Sequence, residues 1–407
     1  MSGYRILYHH RIRADDGQAV HVRELIEALR AEGHEVLECA LVQKTSASQA
    51  GDRSTAGAKP TVAAPAAPSF WQKLSLPRIA VEALEIAYGR QGARMIERHA
   101  RSFRPDFIYE RHALHCDSGL RASRRLGIPL LLEVNSPFSD EMAKLGLLRF
   151  PRIARATERR VLAGADIVFA VTGVLRDMLI ERGARAERTL VVQNGAHPER
   201  YEADTVAAGR ALRTRLGIAP TDFVLGFVGY MRPWHRLDLA AEMLAREEFA
   251  GLHLLLVGDG PARAAVAARA EALGVSARVH FVGAVPGRAV PEHVTAFDAA
   301  LVPAINPYAS PLKLFDSLAA AVPTIVPDQP NLREIVRDGV NGLLFQPEDA
   351  ASLRAALERL YRDRDGARAI GRRGRQELLD LDLTWRGNAS RVVAAFESLT
   401  ERSRSPR

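Results

Sequence analysis

What most constrains this 407-residue chain is an alternation that runs almost its whole length: short, continuously apolar runs of β-favouring residues, each followed by a stretch with helical spacing. The first run spans Tyr4 to His9. A loop with Asp15, Asp16 and Gly17 leads into VHVRELIEALRAEG, where Val22, Leu25, Ile26 and Leu29 recur near helical spacing and Gly33 stands where a helix-ending glycine is preferred. HEVLECAL reads as the second strand. Strand, helix and strand within about 40 residues form a βαβ unit, and such units build parallel sheets.

The pattern recurs at DFIYE, PLLLEV, DIVFAV and TLVVQN, and then as a second series at FVLGFVG, LHLLLVG, VHFVG, AALVPA, PTIVP and GLLF. Runs that are apolar throughout, rather than at every second residue, mark strands covered on both faces. The expected fold class is therefore α/β: two Rossmann-like, doubly wound parallel-sheet domains facing across a cleft, with ligands outside the carboxyl ends of the strands. The polar segment HPERYEADT marks the boundary, giving domains over 1–200 and 201–383. A helix and tail over 384–407 can pack on either domain and can cross back to the first. Residues 43–69, rich in Ala, Ser, Gly and Pro, are expected to form a mobile loop.

Composition narrows the function classes. Cys39 and Cys116 lie far apart and make no metal or disulfide pattern, which fits a reduced compartment. The opening MSGYRILYHHRIRADDG meets charges after a few apolar residues, so no secretory leader is expected, and no run of about 18 uncharged apolar residues offers a membrane span. A cytoplasmic location follows as the expectation. The net charge of +8 suits nucleic acid, an anionic surface or phosphorylated ligands, yet no nucleic-acid-binding motif is present. There is no G-x-G-x-x-G, which argues against a nicotinamide or flavin enzyme.

Candidate residues cluster in post-strand loops. Gly17 precedes a helix N-terminus, where phosphate is favoured. In YMRPWHR, Arg232, His235 and Arg236 either meet a diphosphate or form a solvated basic turn. Gly258 and Gly260 turn VGDGP sharply toward a helix. In PAINPYASPLKLFDSLAAAVPTIVPDQPNLREIV, a strand ends at Ala304 and a helix begins near Pro311, with Lys313 in its first turn. A cation there opposes the helix dipole, which points to an anion at the same place. Asp316, one turn on, can accept hydrogen bonds from ribose hydroxyls, and Glu334 reads as an N-terminal cap.

Together, GHEV, QNGAHPERY, VGYMRPWHRLDLA, VGDGP and above all SPLKLFDSLAAAVPTIVPDQPNLREIVRDGVNGLLF resemble the family-4 retaining glycosyltransferases of GT-B architecture, the group 1 glycosyl transferases. The resemblance covers nearly the whole chain. PDFIYERHALHCDSGLRASRRLGIPLLLEVNSP is similar to a subgroup with a Tyr-x-Arg strand end and an E-V-N after the next strand. It implies an acceptor-side first domain and a nucleotide-sugar-binding second domain. Gly17 and Gly258 would lie by the donor, Arg232 and His235 would take the place of an Arg and Lys pair, Pro311, Leu312 and Lys313 would cradle the diphosphate, and Asp316 would bind the ribose. Asn135 would stand where many members carry a histidine near the reacting sugar, making Asn135, Arg232 and Lys313 the implied catalytic residues. Arg111, His112 and Glu133 are the acceptor-side candidates, and His115 is a further histidine in the same loop. Tyr230, His235, Tyr308 and Asn135 depart from the family pattern, and Asp316 replaces its second glutamate.

The implied reaction moves a sugar, with retention, from a nucleotide diphosphate to a carbohydrate, lipid-linked or small-molecule acceptor. It needs no metal and no cofactor beyond the nucleotide-sugar co-substrate. Asp380 and Asp382 form a D-x-D, but in a helical stretch, so a metal role is not expected. Two rivals share the fold: a GT-B nucleotide-sugar epimerase and a degenerate nucleotide-sugar-binding subunit. The stretch 144–160 mixes apolar residues with Lys144, Arg149, Arg152, Arg155, Arg159 and Arg160, which is either a solvated helix face or a site of peripheral contact with an anionic membrane.

Overall fold

A computed structural model describes residues 3–12, 17–40 and 77–404. The loop expected over 43–69, and Asp15 and Asp16, lie outside the described residues. The chain divides into two compact units. The first comprises Met1–Ala170, Leu175–Val192 and Ala389–Arg407, and the second Val171–Val174 and Gln193–Asn388.

In the first unit the elements run β1 (Arg5–His10), α1 (Gly17–Ala31), β2 (Glu35–Ala40), α2 (Arg78–Phe103), β3 (Phe107–Arg111), α3 (Ser118–Leu126), β4 (Leu130–Val134), α4 (Phe138–Lys144), α5 (Pro151–Gly164), β5 (Ile167–Ala170), most of α6 (Gly173–Glu181) and β6 (Thr189–Val191). Its six strands lie in the order β2-β1-β3-β4-β5-β6, and every pair is parallel. Ile6, Leu7, Tyr8, Leu130, Leu131 and Leu132 are fully buried, as strands covered on both faces must be. The last helix, α15 (Trp385–Arg404), contributes its end to this unit: Phe396 packs on Phe107 at 4.7 Å, and the Tyr4 hydroxyl donates to Glu397 at 2.9 Å.

The second unit continues with α7 (Ala203–Arg215), β7 (Phe223–Val228), α8 (Leu237–Leu244), β8 (Leu252–Val257), α9 (Arg263–Ala272), β9 (Val279–Gly283), α10 (Val290–Val294), β10 (Ala299–Leu301), α11 (Leu312–Ala319), β11 (Thr324–Pro327), α12 (Pro330–Arg333), β12 (Leu343–Phe345), α13 (Ala350–Arg362) and α14 (Arg364–Asp380). Its sheet is again six-stranded and parallel, in the order β12-β11-β10-β7-β8-β9. Successive residues of β7 and β8 feed two separate cores. Phe223, Leu225, Phe227, Leu254 and Leu256 enter one, and Val224, Leu255 and Val257 enter the other. β10 stops at Leu301 rather than at Ala304, because Pro303 has no N–H to extend the ladder.

Each sheet reverses its order once, between β1 and β3 in the first unit and between β7 and β10 in the second. Loops leaving the carboxyl ends there diverge to opposite faces and open a crevice for ligands. Among the described residues, no helix is long and apolar enough to cross a membrane.

The packing of β7 makes a direct prediction. A Cβ at Gly226 would lie 2.1 Å from the buried Phe297 ring. Gly226→Ala is therefore expected to destabilise the protein by about 1–3 kcal/mol, read as a lower urea midpoint at unchanged m. An unchanged midpoint would contradict this packing.

Candidate functional site

In the second unit the reversal point is lined by the loops after β7, β8 and β10. The first two are knitted backbone to backbone. Gly229 N–H donates to Val257 O at 2.9 Å, Met231 N–H to Asp259 O at 2.8 Å, and Ala262 N–H to Met231 O at 3.0 Å. This approach requires glycine at 258, where φ is +124° and a Cβ would fall 2.1 Å from the Gly229 carbonyl oxygen. The chain then forms a short 3-10 turn, Pro233–His235, in which Arg232 N–H donates to His235 Nδ1 at 3.3 Å.

The loop after β10 delivers α11. Asn331 Nδ2 donates to Ala309 O at 2.7 Å, and the Ser310 hydroxyl donates to Gln193 at 3.0 Å. Pro311 precedes the helix and supplies no side-chain cap, so the first N–H groups, around Leu312 and Lys313, are left for another acceptor. The Lys313 residue is partly exposed, but its ammonium lies over the Phe227 ring at 4.0 Å and beside Gly229. No carboxylate reaches it among the described residues, and burial of that end pulls its pKa down to about 7. His235 is pushed down to about 3 by burial and then by Lys313 and Arg232, so it is a neutral imidazole at neutral pH. The three side chains thus converge, and among the described residues none is neutralised by an acid.

Three other expectations take a different form. Arg236 is occupied by Asp238 at 2.9 Å, so it is not free for a phosphate. Asp316 accepts from the Tyr201 hydroxyl at 2.9 Å, which fixes one carboxylate oxygen. Glu334 follows α12 and does not cap it; it accepts from the N–H groups of Gly173 and Val174 at 2.9 and 3.1 Å, at the start of α6. Tyr308 is buried, and its carbonyl accepts from the Thr172 hydroxyl at 2.9 Å.

In the first unit the strand ends gather a compensated cluster. Glu133 accepts from Arg111, from the Tyr109 hydroxyl at 2.7 Å and from His21 at 2.9 Å. Burial alone would raise its pKa, but the His21 and Arg111 charges and the hydrogen bonds overcome it and bring the carboxyl to about 2. His112 is buried, with its pKa lowered by that burial; its Nδ1 and the Asn135 Oδ1 have no hydrogen-bond partner among the described residues. Gly17 opens α1 and is exposed. His115 pairs with buried Glu82 at 2.9 Å. Cys116, which makes no metal or disulfide pattern by spacing, meets His9 and Glu110 in a buried cluster. Glu110 there accepts from His9 at 2.6 Å and from Gly119 N–H at 2.9 Å. The structure thus brings Arg232, His235, Lys313 and Gly258 together in one unit, and Arg111, Glu133, His112 and Asn135 in the other. His21 and Phe227 had no distinguishing signal in the sequence beyond their place in a helical or apolar run, whereas Tyr109 and Tyr201 lie in the quoted Tyr-x-Arg and QNGAHPERY motifs, whose pattern does not show what their hydroxyls bond.

Both halves of the chain are similar to known proteins. The family model "Glycosyl transferase 4-like domain" matches residues 16–195 and "Glycosyl transferases group 1" matches residues 210–377. A D-inositol 3-phosphate glycosyltransferase of Nocardia farcinica is 31% identical over 281 residues, covering 66% of this chain and 61% of that protein. Its namesake from Geodermatophilus obscurus is 30% identical over 310 residues, 73% of this chain and 67% of the relative. The chain thus spans about three fifths to two thirds of these relatives' length. Among solved structures, Anabaena HepE in complex with UDP superposes with a TM-score of 0.71 at 18% identity, over 97% of this chain and 100% of that one. Sucrose-phosphate synthase from Thermosynechococcus elongatus gives 0.72 at 19%, over 98% and 100%. At such identities the likeness concerns the fold.

The unpaired ammonium has a consequence for stability. The folded pKa of Lys313 lies below the ordinary 10.5, so its charge is carried at a cost below about pH 7, and that cost is relieved as pH rises toward 10.5. Lys313→Met is expected to melt higher than wild type at pH 6, with the gain shrinking between pH 7 and 10. Thermal unfolding at several pH values checks this, and a lower melting temperature at pH 6 would contradict it.

Proposed function

The chain belongs to the group 1 glycosyl transferases, and on that premise we propose that it transfers a sugar, with retention, from a nucleoside-diphosphate donor to an acceptor hydroxyl. The observation that carries this reading is the Lys313 ammonium, unpaired among the described residues and desolvated over Phe227 at an uncapped helix N-terminus, with Arg232 acting on the same His235. A buried cation without a counter-charge is unfavourable unless an anion arrives, and free helix N–H groups favour the same anion. A diphosphate satisfies both.

In the reaction the bond between the anomeric carbon and the diphosphate oxygen breaks, and the acceptor oxygen bonds to that carbon. The acceptor proton passes to the leaving phosphate. Charge grows on the departing oxygens, where Arg232, protonated Lys313 and the α11 N–H groups can stabilise it without a metal. Neutral His235 serves as a hydrogen-bonding group rather than a cation. In the first unit, Asn135, His112, Arg111 and Glu133 form the acceptor side of this proposal. HepE is solved with UDP-glucose, which supports a uridine donor as the first to try.

The test is calorimetric titration with UDP, GDP and ADP, with and without magnesium. One of them is expected to bind without the metal, and Lys313→Ala to weaken it about 10- to 100-fold, the range for a hydrogen bond to a charged group. Affinity should fall from pH 7 to 9, because the bound anion requires a protonated lysine. Binding of none would overturn the donor site, and binding without sugar transfer would favour a non-catalytic subunit.

We also propose a membrane-facing surface on the first unit, argued from exposure. Leu145, Leu147 and Ile153 stand 62%, 43% and 43% exposed, among exposed Lys144, Arg149, Arg152 and Arg155. Apolar residues ringed by cations fit an anionic bilayer surface, in keeping with a lipid-linked acceptor. The protein is expected to sediment with phosphatidylglycerol vesicles at low salt and to be released at high salt. Failure to sediment at low salt would remove the membrane from this proposal.

A further inference from the structure

Arg232 differs from most arginines of this chain in what surrounds it. Its guanidinium carbon lies 4.6 Å from the Tyr230 ring centroid and 5.2 Å from that of Trp234. Among the described residues no carboxylate pairs with it, so its N–H donors are not taken up by an acid of the protein. Arg236, four residues on, is instead closed on Asp238 by three contacts of 2.9 to 3.2 Å.

The two rings are themselves unusual. Tyr230 and Trp234 are each 55% exposed, and no other aromatic residue stands among the large exposed hydrophobics of the described chain. Isolated exposed apolar residues call for no explanation. Two aromatics within cation–π reach of the same arginine do. Their backbone is braced: Gly229 and Met231 are bonded to the β8 strand end and the loop after it, and Pro233 fixes the turn. The His235 ring, seated on Phe227 at 5.4 Å, accepts from the backbone N–H of Arg232. A long, flexible side chain is thus offered two π-faces while its hydrogen-bonding edge stays open.

We propose that Tyr230 and Trp234 are positioning residues that clamp the Arg232 guanidinium between their faces, so that its donor edge is held ready for the diphosphate of the donor. The clamp rests on the donor reading above and extends it to two residues whose rings need not touch the ligand. Its physical basis is pre-organisation: the arginine rotamers are restricted before the anion binds, so less freedom is lost on binding. A planar fork presented in a fixed orientation also grips phosphate oxygens better than a free one.

The experiment is a double-mutant cycle on UDP binding, measured by calorimetry, with circular dichroism confirming that each variant is folded. Trp234→Ala and Tyr230→Ala are each expected to weaken UDP about two- to fivefold, the range for an exposed cation–π contact. Trp234→Phe should restore most of the affinity because it keeps a π-face. Trp234→Leu should not, although it keeps apolar bulk. In an Arg232→Ala background, Trp234→Ala should cost nothing further. Equal loss in both backgrounds would mean that the ring meets the ligand directly, and would overturn the clamp. Rescue by leucine, or no loss from either alanine variant, would overturn it as well. If the wild type binds UDP and only Arg232→Ala weakens it, the clamp fails while the donor site stands. If the wild type binds no nucleoside diphosphate, both fall together.

Discussion

The central strands of both sheets are buried on both faces, and that burial governs where anything else can happen in the molecule. Residues 223 to 227 alternate between two cores, so neither face of β7 is left to water. Groups that must keep a charge or an open hydrogen bond are displaced toward the strand ends, because an uncompensated polar group inside such a layer is costly. The single order reversal in each sheet then selects which strand ends matter. The loops at Gly229 and Gly258 pack closely enough at the second reversal that a glycine is enforced at 258.

The two units treat charge in opposite ways. In the first, Glu133 is met by Arg111, His21 and Tyr109, and the cluster is electrically settled before any ligand arrives. In the second, Arg232, His235 and Lys313 come together with no acid paired to them among the described residues; burial lowers the pKa of Lys313, and burial followed by the two cations lowers that of His235. A settled cluster fixes geometry, whereas an unsettled one stores a preference for an anion. The proposed donor site rests on the second, and the proposed acceptor side on the first.

Much of this was legible in the chain. The strands of both units fall on the apolar runs, Arg232 and Gly258 follow strand ends, and Lys313 lies in the first turn of a helix, as expected. Less legible was the fate of each charge. Arg232 and Arg236 are the same residue type in one loop, yet one stacks on aromatics and the other pairs with Asp238. Asp316 is bound to Tyr201, 115 residues earlier, and Glu334 reaches Gly173, 161 residues earlier. Cys116, unremarkable by spacing, meets His9 and Glu110 because β1, β3 and the loop before α3 converge.

The sequence by itself determined the α/β class, the parallel sheets and the loops that carry polar chemistry, because hydrophobic periodicity and turn residues act over a few neighbouring positions. The tertiary structure alone decided which of those polar residues are neutralised and which are left open. Compensation depends on distances between residues far apart in the chain, such as the 112 positions separating His21 from Glu133, and no local pattern encodes such a distance.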